Sequence, residues 1–152
     1  MPLSRLARSS VATIPPSCPL SEAARLMTML SVGALVIAES PKDEPVGIVT
    51  DRNLVKLIGE GLDPKLANVA RFVGPPLATV PIGTPMKEVV RLMHAHGVRR
   101  LPIVDGEGQL TGIVSLDDVL LSLGEEMADV AGTIRKGLES EHRPPSAHER
   151  AL

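Results

Sequence analysis

The chain repeats itself. Ala12, Thr13, Pro15, Pro19, Glu22, Arg25, Leu26 and Met27 return as Ala78, Thr79, Pro81, Pro85, Glu88, Arg91, Leu92 and Met93, at a constant offset of 66 positions. Ile14 is answered by Val80. Downstream the offset becomes 65, where Gly47-Ile48-Val49 returns as Gly112-Ile113-Val114. A duplication this regular demands that one structural unit be built twice. The 152 residues suffice for one domain with a real core, or for two small half-domains sharing one.

Each copy reads as strand, helix, strand, strand, helix. Short extended segments, Ser10–Ile14 and Leu77–Val80, run into proline. Pro19 and Pro85 suit a first helical residue, where a missing N–H costs nothing. Ala23, Met27 and Leu30 then recur at helical spacing, as do Val89, Val90 and Met93. Gly97 is a helix stop. Strands are expected at Ala34–Ala38 and Pro45–Val49, and at Val98–Val104 and Gln109–Val114. The second pair is joined by the turn Asp105-Gly106-Glu107-Gly108. Helices Asp51–Gly59 and Leu116 onward close the copies. This divides the chain into a first repeat at 1–62, a linker at 63–76 with a short helix near Leu66–Arg71, a second repeat at 77–124, and a C-terminal extension at 125–152. The extension begins helical, on the stripe Val119, Leu123, Met127, Val130, Ile134. It ends in a polar tail with Pro144-Pro145 that is expected to fray.

Composition removes several functions. Phe72 is the only aromatic residue, and the net charge is −2. Neither a basic field nor a stacking platform for nucleic acid exists. No apolar run is long enough to span a membrane, and no apolar stretch follows Arg5 and Arg8 to make a signal peptide. Cys18 is alone, which excludes an intrachain disulfide and fits the cytoplasm. His94 and His96 point to different helix faces, far in sequence from Cys18, His142 and His148, so no metal site is expected. Gly106-Glu107-Gly108 precedes a strand and is a hairpin turn, not a dinucleotide loop. No nucleophile and base can be assembled, so no catalytic residue and no enzyme is expected.

The chemistry gathers at Ser115-Leu116-Asp117-Asp118, between a strand and a helix. Ser115 and Asp118 have the spacing of a capping box, as do Thr50 and Asn53 in the first copy. On spacing alone the cap is the plainer reading. The same geometry also suits a ligand: a carboxylate at a helix N-terminus accepts both hydroxyls of a ribose, and nearby backbone N–H groups favour an anion. Arg99 and Arg100 add a fork donor for phosphate. Neighbouring strand residues point to opposite faces, so one of the two faces a given cleft.

Here GVRRLPIVD followed by GIVSLDD, with GIVTDR in the first copy, resembles the cystathionine-β-synthase (CBS) domain in its paired, Bateman form. The resemblance runs from about Leu3 to Leu123. It implies an α+β fold in which two CBS repeats pack with pseudo-twofold symmetry around two clefts for adenosine nucleotides. One cleft would use Ser115, Asp118 and an arginine of the Arg99-Arg100 pair. Its adenine wall would be Ile14, Cys18 and Ala23, with backbone groups of Val32, Gly33, Ala34 and Leu35 at the base edge. The other would use Thr50 and Asn53, walled by Val80, Thr84, Val98 and Leu101. Asn53 replaces the family's aspartate, and Gly33-Ala34 stand where the second copy has arginines, so this cleft is expected to be weaker. The implied function is regulatory sensing of AMP, ADP, ATP or S-adenosylmethionine, with no required cofactor. The output would pass through a homodimer or an unidentified protein partner. A ligand-free structural or interaction module is the alternative.

Overall fold

The computed structural model describes residues 3–6, 11–74 and 76–142. The expected strand start at Ser10, His148 and the Pro144-Pro145 tail lie outside them. The chain divides into two units, Met1–Leu116 and Asp117–Leu152. The first opens with α1 (Leu3–Leu6) and holds two three-stranded sheets. One is β1 (Thr13–Ile14), β2 (Ala34–Ile37) and β3 (Gly47–Thr50). The other is β4 (Val80–Pro81), β5 (Arg100–Val104) and β6 (Leu110–Ser115). Both sheets pair their first two strands parallel and their last two antiparallel. Thr13 lies opposite Val36 and Val80 opposite Ile103; Leu35 lies opposite Val49 and Leu101 opposite Val114. The duplicated sequence thus gives duplicated topology and register.

Between the strands run α2 (Leu20–Leu30), α3 (Asp51–Gly59) and α4 (Met86–His96). The apolar helix positions face inward unevenly. Ala23, Met27, Val89 and Met93 are buried, whereas Leu30 and Val90 are exposed. In the first repeat Ile14, Leu20, Ala23, Met27, Leu35, Ile37, Val49 and Leu54 form one apolar cluster. The second repeat buries Val80, Val89, Met93, Leu101, Ile103 and Val114. Aliphatic and methionine side chains fill both, as a chain with one aromatic residue requires.

Pro19 and Pro85 stand one residue before the position expected for them. They are N-caps, at φ −62° and ψ 150° for Pro19 and φ −62° and ψ 144° for Pro85. The proline ring fixes φ alone, and that φ serves either position. The carbonyl of Pro19 accepts from the N–H groups of Glu22 and Ala23, and that of Pro85 from Glu88 and Val89. At the far ends Gly97 and Ser31 take left-handed conformations, at φ 63° and 52°. On each helix surface a repeated pair forms. Arg25 Nε donates to Glu22 at 3.0 Å and Arg91 Nε to Glu88 at 2.8 Å. These hydrogen bonds hold both carboxyls below the ordinary glutamate range. A lowered folded pKa gives stability present above the unfolded pKa and lost as pH falls through the folded one. Both pairs are solvent-exposed, so their contribution is small.

The linker is stitched to the first repeat. Leu20 N–H donates to Ala67 O, Ser21 N–H to Pro64 O and Val69 N–H to Cys18 O, at 3.0, 2.9 and 2.9 Å. Its helix is a 3-10 turn at Val69–Phe72, later and tighter than the expected Leu66–Arg71, and Asn68 Oδ1 caps it by accepting from Ala70 N–H. Residues Val73 and Gly47 bridge the end of this turn to β3. In the second unit, α5 (Leu116–Glu141) runs unbroken through the 124/125 boundary expected for the repeat. Val119 and Ser122 are its buried residues. No described helix is long and apolar enough to cross a membrane.

Candidate functional site

The antiparallel register separates the two arginines. Arg100 lies directly opposite Ser115 across β5 and β6, so both side chains leave the same face of the sheet. Arg99 precedes the strand and is exposed, while Arg100 is half-buried. In the first repeat the same positions are Ala34 and Thr50, again direct partners. The Arg100 guanidinium reaches the first repeat. Its Nη2 lies 3.4 Å from where a Cβ on Gly33 would stand, and Asp51 Oδ2 lies 3.4 Å from the same point. The side of Gly33 that carries no side chain is therefore faced by a guanidinium of one repeat and a carboxylate of the other. Sequence reasoning did not foresee Asp51. The available signal was an acid directly after the cap residue in GIVTDR, where the second copy has Leu116.

The helix starts differ in detail. Thr50 and Asn53 form a complete capping box. Asn53 N–H donates to Thr50 Oγ1 at 3.2 Å, and Asn53 Oδ1 accepts from Thr50 N–H at 2.9 Å and from its hydroxyl at 2.8 Å. The amide oxygen of Asn53 is thus committed to the helix. Asp51 Oδ1 accepts from Arg52 N–H at 2.8 Å. Ser115 and Asp118 are each half-buried and each engaged within the chain.

The residues expected to face adenine are brought together, but as core. Ile14, Cys18, Ala23 and Leu35 belong to one buried cluster, with Val32 packed against it; Gly33 and Ala34 are half-buried. Val32 N–H already donates to Met27 O, and the Gly33 carbonyl accepts from Asp51 N–H. In the second repeat Val80 and Leu101 are buried, Thr84 is half-buried and Val98 is exposed. Burial, and then the Glu22 carboxylate, push the Cys18 thiol above its ordinary range. A thiol kept protonated is a poor nucleophile. Iodoacetamide at neutral pH is accordingly expected to modify Cys18 in unfolded protein and leave it intact in the folded chain, as read by mass spectrometry. Rapid labelling of the folded chain would show that this wall opens to solvent. No group of three or more His, Cys, Asp or Glu capable of holding a metal occurs among the described residues.

The family model of the CBS domain matches twice, at residues 3–60 and 69–125. The chain belongs to the CBS domain family. An uncharacterized protein of Methanopyrus kandleri is 40% identical over 116 residues, which cover 76% of this chain and 59% of that protein. This CBS pair therefore spans less than two thirds of that relative's length. Two solved structures share its fold. A CBS domain protein of Pyrobaculum aerophilum complexed with AMP superposes with a TM-score of 0.69 at 23% identity, covering 82% of this chain and 99% of that one. The cytosolic domain of the Mg2+ channel MgtE, in complex with ATP, superposes with a TM-score of 0.63 at 27% identity, covering 76% of this chain and 46% of that one.

Proposed function

We propose that this CBS pair is a regulatory module that binds an adenosine nucleotide and catalyses no reaction. Asp118 accepts the ribose hydroxyls, Ser115 and Arg100 take phosphate, and the first repeat supplies the adenine wall from Ile14, Cys18, Ala23 and the Val32–Leu35 segment. The observation that carries this reading is the Arg100–Ser115 cross-strand pair, whose guanidinium ends beside Gly33 of the other repeat. It puts a phosphate donor and a hydroxyl on one face, next to a backbone without a side chain. The ATP-bound relative supports the adenosine class, and AMP is bound by the Pyrobaculum protein. Binding passes to the cell through a partner protein or through association of the chain with itself. A cytoplasmic setting suits such a ligand and the lone, buried Cys18.

The runner-up is a CBS pair kept for structure or protein interaction alone. It has a specific observation behind it: the Thr50–Asn53 box shows a motif pair serving as a helix cap. A thermal-shift panel decides between them. At 100 times its dissociation constant a ligand adds about 2.7 kcal/mol of stability. An adenosine nucleotide is expected to raise the melting temperature more than its guanosine counterpart. With no Trp or Tyr in the chain, retained nucleotide should also dominate absorbance near 260 nm. No shift with any of AMP, ADP, ATP or S-adenosylmethionine at millimolar concentration would leave the interaction module.

A further inference from the structure

Two opposite charges from different repeats face one glycine. Arg100 Nη2 and Asp51 Oδ2 each lie 3.4 Å from where a Cβ on Gly33 would stand, so they are no more than twice that distance apart. Arg100 is half-buried and Asp51 is exposed. We propose that Asp51 is a selectivity residue of the nucleotide site: it offsets the Arg100 charge and so denies a polyphosphate the electrostatic advantage it would otherwise have over a monophosphate. This rests on the reading that Arg100 takes phosphate. It adds which class of adenosine nucleotide the site prefers, a monophosphate over a triphosphate.

Three observations carry it. The first is placement. A carboxylate this close to the guanidinium leaves the pair with little net charge toward a phosphate further out. Without it Arg100 presents a full positive charge, and the resulting gain grows with the charge of the ligand. The second is anchoring. Asp51 opens α3, where a negative charge is favoured at the helix N-terminus. Its Oδ1 accepts from Arg52 N–H at 2.8 Å, and its own N–H donates to Gly33 O at 3.1 Å. The carboxylate is thus fixed beside the glycine that Arg100 reaches. The third is the duplicate. Leu116 N–H makes the same backbone bond to Arg99 O at 2.8 Å, so Leu116 and Arg99 hold the places of Asp51 and Gly33. Helix α5 therefore starts without an acid directly after Ser115. The repeated backbone does not need an acid there; the first repeat alone combines one with a residue that has no side chain.

The test titrates adenosine, AMP and ATP calorimetrically into the full chain and its Asp51→Asn variant, in buffer free of divalent cations. The amide keeps the shape of the side chain and an oxygen for Arg52 N–H. At an ionic strength of about 20 mM, Asp51→Asn is expected to raise the affinity for ATP at least about three-fold more than that for AMP, and to leave adenosine unchanged. At about 300 mM the difference should shrink, because salt screens exposed charges. Ligands that bind with an unmoved AMP-to-ATP ratio would overturn the proposal and leave the nucleotide reading standing. A parent that binds none of the three would overturn that reading, and the proposal with it. A ligand-free measurement asks whether the two side chains sense each other. Asp51→Asn should lower the melting temperature when Arg100 is present and raise it in an Arg100→Glu background. A loss in both backgrounds is what a role at the end of α3 alone would give, and would also overturn the proposal.

Discussion

Asp118→Ala is expected to weaken adenosine-nucleotide binding about ten- to a hundred-fold, while Asn53→Ala changes it by less than about three-fold. The asymmetry follows from what each side chain has to offer. Asp118 is a carboxylate, and hydrogen bonds to a charged acceptor contribute about 1.5–3 kcal/mol against about 1 kcal/mol for neutral ones. Asn53 has already given its oxygen to Thr50, twice. Ala34 is the residue opposite Thr50, where the second repeat sets Arg100 opposite Ser115. Isothermal titration of both variants measures the difference. Equal losses, or a larger loss at Asn53, would place the main site in the other cleft. Asp118 is also engaged within the chain, so its removal carries a stability cost of about 1 kcal/mol if it caps the helix. Melting curves should accompany the titrations to separate the two effects.

Gly47→Ala is expected to cost about 1–3 kcal/mol of stability. A Cβ there would lie 3.1 Å from Ile37 Cδ1 and would collide with the carbonyl oxygen of Phe72, 2.4 Å away. Ile37 can shift its side chain, but the Phe72 carbonyl is backbone, held by the 3-10 turn and by the bridge from Val73 to Gly47. Relief therefore requires the linker to lift from β3. For a chain of this length the loss reads as a melting temperature lower by roughly 2–12 °C. Gly132→Ala is the control: nothing lies within 4 Å of its would-be Cβ. In a helix interior that change should stabilise by about 0.5–1 kcal/mol. A Gly47→Ala protein as stable as the parent would show that the linker is not seated on the first sheet.

The sequence made the repeat topology legible because two kinds of signal agreed. Hydrophobic spacing set the element types, and the fixed offset forced both copies to the same answer. Helix α3 spans the expected Asp51–Gly59. What spacing could not supply was contact across repeats. It left Arg99 and Arg100 equivalent until the register put Arg100 opposite Ser115. It gave no hint that Asp51 and Arg100 approach the same glycine. The proline caps were misplaced by one residue because φ is common to both positions and ψ is invisible in a sequence. The linker helix starts later than expected where tertiary bonds intervene: the carbonyls of Pro64 and Ala67 accept from Ser21 and Leu20, and Val69 N–H donates to Cys18 O.

The stitched linker has a further consequence, for the order of folding during synthesis. Every strand pair in the first sheet joins segments close in sequence, and its last backbone bridge is made by Val73. A chain emerging from the ribosome can therefore complete and seal its first repeat before the second sheet has emerged in full. Domains commonly fold in that direction, amino-terminal part first. Neighbouring repeats with the same strand pattern invite mispairing of one copy's strands with the other's. An amino-terminal sheet whose edge is already occupied by its own linker withdraws those strands before their duplicates appear.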